Sequence, residues 1–251
     1  LDEAITVWSK ITREEADSKT YTQAQLNLGA AYAESGKLDE AITVWSKITR
    51  EEADSEIYAR ALLGLGAAYA ESGKLDQAIK ILSNISHDND PETYAWAQFS
   101  LGNTYKIIGK LGEDIAAWSN IRREHSCEAY AVAQYSLGNT HKTMDQLDDA
   151  IAAWSSIRRD DDPEAYAWAQ LSLGDAYRTM DQSDNAIAAW SSIRRDDDPN
   201  AYAWAQSRLG FAYQTQNKLD EAITAWSNIR REDEPELYAE AQRNLALVNK
   251  H

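Results

Sequence analysis

LDEAITVWSKITREEADS stands at Leu1–Ser18 and again, letter for letter, at Leu38–Ser55. Related stretches open at Leu75, Leu111, Leu147, Ser183 and Leu219, so successive copies lie 37, 37, 36, 36, 36 and 36 residues apart. A second stretch alternates with the first: YAWAQFSLGNTY from Tyr94, YAVAQYSLGNTH from Tyr130, YAWAQLSLGDAY from Tyr166 and YAWAQSRLGFAY from Tyr202. Further copies open at Tyr21, Tyr58 and Tyr238. Self-similarity at such a period marks an array whose units bury their apolar faces against one another. The 251 residues therefore read as one continuous array over 1–251, and not as one or two globular domains.

Each stretch has the spacing of an amphipathic helix. Leu147, Ala150, Ile151, Trp154 and Ile157 recur at 0, 3, 4, 7 and 10; Tyr166, Ala169, Leu173 and Tyr177 recur at 0, 3, 7 and 11. Neither set alternates as a strand does. Pro91, Pro163, Pro199 and Pro235 share one slot, three residues before the Tyr, and Asp90, Asp162, Asp198 and Glu234 precede them. An acidic cap followed by Pro is a helix start. A second slot, between the helices of a pair, holds Gly36, Gly73, Gly109, Asp145, Asp181 and Asn217. These residue types tolerate the left-handed backbone of a tight turn.

These residues resemble the tetratricopeptide repeat (TPR) family. Its LG..Y motif is matched by Leu28/Gly29/Tyr32, Leu65/Gly66/Tyr69, Leu101/Gly102/Tyr105, Leu173/Gly174/Tyr177 and Leu209/Gly210/Tyr213, with His141 replacing Tyr after Leu137/Gly138. The small residue of its second helix is matched by Ala4, Ala41, Ala78, Ala150, Ala186 and Ala222, with Asp114 as the exception. The large aromatic is matched by Trp8, Trp45, Trp118, Trp154, Trp190 and Trp226, with Leu82 as the exception. The chain departs from the family in its 36–37-residue period and in Gln or Leu at Gln25, Leu62, Gln98, Gln134, Gln170 and Gln206, where the family often has Trp. The Pro also stands one position later. The resemblance implies an all-α fold, a right-handed α-α superhelix of about 14 antiparallel helices in tandem pairs. Helix pairs are expected to start near 21, 58, 94, 130, 166 and 202, between an orphan second helix over 1–13 and an orphan first helix over 238–249. The six Trp of the second helices are expected in the core, and His141 as a tolerated core substitution. No signal peptide or initiator Met is recognisable, so the sequence is expected to be a fragment. Its orphan helices suggest head-to-tail self-association as an alternative role.

Composition narrows the chemistry. A net charge of −16 argues against nucleic acid or an anionic lipid surface as the partner. No window approaches 18 uninterrupted apolar residues, so no membrane span is expected. One Cys excludes a disulfide framework and suits a reducing compartment such as the cytoplasm. No phosphate loop, dinucleotide fingerprint or H-E-x-x-H is present. His125 and Cys127 form an H-x-C in a linker, and Cys127 stands in the Pro slot, so it reads as a lost Pro. The RRDDD runs at Arg158 and Arg194 read as solvated linkers with weak local ion pairs. No enzyme, metal or cofactor is implied.

What remains is a binding face. The resemblance implies that the first helices line a concave groove that holds a peptide or protein segment. Relative to the LG glycine, the slot six before holds Trp96, Trp168 and Trp204; the slot three before holds Phe99 and Tyr135. The slot one after holds Asn103, Asn139, Asp175 and Phe211, and the slot four after holds Lys106, Lys142 and Arg178. The first two units hold only Ala in the last two slots. Asn can bond a peptide backbone and Lys or Arg a carboxylate, so the expected partner is a protein or peptide carrying acidic groups. The Lys/Asn carboxylate clamp of some family members, set at other slots, is not found.

Overall fold

Helices begin and turn where the sequence places its prolines and glycines. A computed structural model describes residues 1–88 and 90–248, and their regular structure is helical. The described residues form α1 (Asp2–Trp8), α2 (Ser18–Glu34), α3 (Leu38–Trp45), α4 (Ser55–Glu71), α5 (Leu75–Leu82), α6 (Pro91–Ile107) and α7 (Leu111–Ser119). There follow α8 (Cys127–Thr143), α9 (Leu147–Ser155), α10 (Pro163–Thr179), α11 (Ser183–Ser191), α12 (Pro199–Thr215), α13 (Leu219–Ser227) and α14 (Pro235–Val248). Asn249 at the end of the expected last helix, and His251, lie outside the described residues. The Asp before each Pro caps its helix: Asp90, Asp162 and Asp198 accept the backbone N–H of Thr93, Ala165 and Ala201. Cys127 opens α8 as Pro opens α6 and α10. The turn slot has positive φ throughout, from 57° at Asp181 to 76° at Gly109.

The second helices are shorter than their periodicity suggests. α9 ends at Ser155, and Ile157 lies beyond it. Ile157 is nevertheless buried, because its N–H donates back to the Trp154 carbonyl and holds a further tight turn. Ile48, Ile121, Ile193 and Ile229 repeat this arrangement.

The chain divides into two compact units, Leu1–Tyr130 and the residues from Ala131 onward, so that α8 begins in one and ends in the other. In the first, α2 packs on α3, α4 on α5 and α6 on α7, while α2, α4 and α6 touch side by side. In the second, α10 packs on α11 and α12 on α13, with α10, α12 and α14 in a row. The core of each unit lies between its long and short helices: Leu26, Trp45, Ile57 and Leu65 in the first, Leu171, Trp190, Ile193 and Leu209 in the second.

One contact organises every pair that has both residues. A Cβ at Gly29, Gly102, Gly138, Gly174 or Gly210 would collide with the indole of Trp45, Trp118, Trp154, Trp190 or Trp226. The absent side chain lets the indole N–H reach a carbonyl of the long helix. Trp45 donates to Leu26 O at 3.1 Å, Trp118 to Phe99 O at 3.2 Å, Trp154 to Tyr135 O and Trp190 to Leu171 O at 3.3 Å. A buried donor generally needs such a partner; Trp226, whose buried Nε1 has none, is the exception. Trp118, Trp154, Trp190 and Trp226 are fully buried and Trp45 nearly so. Trp8 departs from the expectation and stays half-buried, because among the described residues α1 packs on α2 only. The Gln in the family's Trp slot is also explained: Gln98 and Gln206 are buried and accept from Asn120 and Asn228, at 3.3 and 3.2 Å.

The RRDDD linkers are not simply solvated. Arg158 and Arg194 are exposed, but the second arginine of each run is a clamp. Arg159 bonds Asp197 at 2.7 Å and the Ser192 carbonyl at 2.6 Å, and its guanidinium centre lies 4.5 Å from the Tyr166 ring. Arg195 repeats this with Asp233, the Asn228 carbonyl at 2.6 Å and Tyr202 at 4.7 Å. Arg13 stacks on Tyr21 and reaches Glu52 at 2.6 Å. The Asp197 side chain is only 4 % exposed, so this is a charge-assisted contact between consecutive linkers and not a screened surface pair. The Asp197 bond raises the Arg159 pKa above its ordinary value, against the opposing effect of burial.

Candidate functional site

The long helices carry the residues singled out above, and each unit presents its own set. In the first unit α6 supplies Trp96, Phe99, Asn103 and Lys106. Trp96 is half-buried and meets Phe99 edge-to-face, ring centroids 5.8 Å apart. Asn103 is half-buried; Lys106 is exposed, its Nζ 5.7 Å from the Trp118 ring. Trp96 also lines a pocket of about 500 Å³ that reaches across α4 to α2, with Leu26, Trp45, Leu63 and Gly64 in its wall. The sequence reading passed over its α2 and α4 side because the slots one and four after the LG glycine hold only alanine there. The signal was Gly64, which stands where the other units have Asn27, Ser100, Ser136, Ser172 or Arg208 and whose missing side chain lets the Trp45 ring lie directly against α4.

In the second unit the residues sort into two groups. Tyr135, Asn139, Lys142 and Trp168 lie outside the lining of the pocket that Arg178 and Phe211 share. Tyr135 packs against the core around Trp154, and Trp168 against the core around Trp190. Asn139 is half-buried and Lys142 exposed. The second group is joined by Arg208, which the sequence reading did not select. Its guanidinium stacks 5.2 Å from the Trp204 ring and its Nε bonds Asp175 at 3.1 Å. Asp175 also lies 3.9 Å from Arg178, one turn along α10. Its closer partner is thus on the neighbouring helix, 33 residues away. Arg208 carried a signal too, as a cation in a slot otherwise filled by Gly, Asn or Ser.

Arg178, Arg208 and Phe211 then line one pocket of about 350 Å³, with Trp190 and Ala186 beneath and Ser183, Thr215 and Gln216 at its edge. Phe211 is 37 % exposed, and its ring leans edge-on against Trp226, centroids 5.6 Å apart. Asp175 neutralises one of the two arginines and fixes its direction. The second, on Arg178, has 61 % of its side chain in solvent. Chemically the pocket offers an apolar wall beside an exposed guanidinium whose nearest carboxylate, Asp175, is more closely engaged by Arg208.

Other residues singled out for chemistry fall elsewhere. His141 is half-buried and bonded to Gln146 through Nδ1 at 2.8 Å, so it is less enclosed than a core residue. Cys127 is a free, exposed thiol. Among the described residues no three His, Cys, Asp or Glu side chains are grouped to hold a metal ion, and no helix is long and apolar enough to cross a membrane.

Residues 26–91 match the family model of the tetratricopeptide repeat. Over those residues the chain resembles that family, and the LG glycines and the second-helix tryptophans repeat the same pattern in the other helix pairs. The crystal structure of MamA is similar over 64 % of this chain and 90 % of that one, at 26 % identity and a TM-score of 0.51. The C-terminal part of a TPR repeat-containing protein from Cytophaga hutchinsonii is similar over 93 % and 90 %, at 18 % identity and a TM-score of 0.64. A tetratricopeptide repeat protein from Parabacteroides merdae is similar over 98 % and 91 %, at 16 % identity and a TM-score of 0.50. The last two bear on the fold alone. A comparison with curated proteins finds no match. Tetratricopeptide repeats generally mediate protein–protein interactions and typically serve as non-catalytic scaffolds.

Proposed function

We propose that this chain, like the tetratricopeptide repeats it resembles, binds a peptide or protein segment along its long helices, and that the segment brings an acidic group and an apolar side chain to the pocket between α10 and α12. The observation that carries this reading is the juxtaposition of Arg178, Arg208 and the exposed Phe211 around one pocket, in a chain whose net charge is −16. An inward cluster of cations on an acidic protein selects a carboxylate by charge and geometry, and the apolar wall adds affinity by burial. Asn139 and Lys142 offer the same chemistry within the second unit, and Asn103 and Lys106 offer it separately within the first. Trp96 and Trp168 supply flat apolar contacts.

The test is a displayed peptide library selected on the intact chain, followed by calorimetry on the selected peptides. Peptides with a carboxylate beside a large apolar residue are expected to bind. Arg178→Ala and Phe211→Ala are each expected to weaken binding about tenfold or more, with the helical circular-dichroism signal unchanged. Selection of basic or featureless peptides, or binding indifferent to both substitutions, would overturn the reading. Light scattering on the same samples separates partner capture from head-to-tail self-association.

A further inference from the structure

The linker clamp changes character at one step. Its donor slot reads Arg13, Arg50, His87, Arg123, Arg159, Arg195 and Arg231 along the chain. The slot that receives it in the following linker holds Glu52 for Arg13, Asp197 for Arg159 and Asp233 for Arg195. For His87 that slot holds His125. Where those steps set a guanidinium against a carboxylate, this one sets imidazole against imidazole. The two ring centroids are 4.7 Å apart, inclined at 61°. Both rings meet Tyr94 edge-on, at 5.9 and 6.0 Å, and Tyr94 is the counterpart of the tyrosines that the clamp arginines stack on.

Each ring has charged groups of its own linker close by. The Arg122 backbone N–H donates to His125 Nδ1 at 3.4 Å, so that nitrogen carries no proton. Asp88 approaches His87 Nδ1 at 3.9 Å but belongs to the same linker as His87 and is wholly solvent-exposed. On the other linker Glu124 and Arg122 face each other at 3.4 Å. Tyr94 faces the pair from α6. None of these carboxylates bridges one linker to the other as Asp197 and Asp233 do.

We propose that the His87–His125 contact is an acid-weakened joint between the α5–α6 and α7–α8 linkers, packed while both rings are neutral and driven apart when both are protonated. Two imidazolium charges at this separation repel, and Asp88 and Glu124 each belong to one linker and, among the described residues, do not tie the two together as Asp197 and Asp233 do. Burial, then the charge of His87, then that of Arg122 hold the His125 pKa below its ordinary value, while Glu124 pulls the other way. A histidine depressed in the folded state contributes stability that is complete above its unfolded value, about 6.5. That stability is lost as the pH falls through the folded value, because the opened state takes up the proton more readily. The joint stands directly before α6, the helix that presents Trp96 and Phe99.

The test is hydrogen exchange on the intact chain at about pH 7.5 and about pH 5.5, either side of the imidazole range, with intrinsic rates divided out. Protection of the backbone amides around 83–88 and 121–126 is expected to fall several-fold at the lower pH, while protection around 193–198 does not. The double variant His87→Arg/His125→Asp installs the clamp of the other steps and is expected to hold its protection at both pH values. His87→Asn/His125→Asn, which removes the titration without adding charge, serves the same comparison if the first variant does not fold. Unchanged protection in the wild type, or an equal fall in the variant that folds, would overturn the proposal.

Discussion

A methyl group on Gly174 would occupy space held by the Trp190 indole. Gly174→Ala must therefore shift Trp190 and break its bond to the Leu171 carbonyl. A loss of about 1–3 kcal/mol is expected, as for other overpacked cores. Denaturant melts followed by Trp fluorescence measure it, and an unchanged midpoint would remove the steric account. Asp114 illustrates the opposite case. It fills the slot held by Ala41, Ala78, Ala150, Ala186 and Ala222, and it is as completely buried as they are. Burying a carboxylate is costly where a methyl group serves, so Asp114→Ala is expected to raise the thermal midpoint by a few degrees. A lower midpoint would mean that its polar contacts outweigh desolvation. Both residues stand out in the aligned repeats. Arg208 stood out as well, but its partner Asp175 did not. The sequence paired Asp175 with Arg178 through helical spacing, whereas the shorter bond runs across to α12.

At the scale of elements, helix starts and turns were legible because caps, prolines and left-handed turn residues act locally. The linkers were not. RRDDD looks hydrophilic, yet Arg159 and Asp197 lie 38 residues apart and meet only because consecutive linkers stack. A charged residue beside a tyrosine says nothing about what comes to lie over it. Arg159→Ala and Asp197→Ala are each expected to cost about 2 kcal/mol, the range of charge-assisted hydrogen bonds. A double-mutant cycle should return a coupling of about 1 kcal/mol or more. Additive effects would show that the pair is screened as the sequence reading supposed. The shortened second helices have the same origin. Ile157 keeps the phase of a helix that has already ended, because a tight turn places it on the same buried side.

For the whole molecule, the charge of −16 and the local cation cluster act on different steps of binding. Long-range repulsion slows the approach of an acidic segment, while the arginine contacts hold it once docked. Raising the salt is therefore expected to speed both association and dissociation, since screening relieves the first and weakens the second. Stopped-flow fluorescence with a selected peptide measures both rates; association that slows with salt would point to a basic face as the dominant attraction. The seating of each indole on the LG glycine of its own pair came from the structure, whereas the helical array, its period and its turn slots were determined by the sequence alone. Those features repeat, and each depends on residues a few positions apart. The Arg208–Asp175 bond, the pocket beside Phe211, the arginine clamps and the facing histidines were decided only by tertiary structure. Each joins residues from successive repeats, and the stacking of one unit on the next, which sets those distances, is a property of packing and not of spacing along the chain.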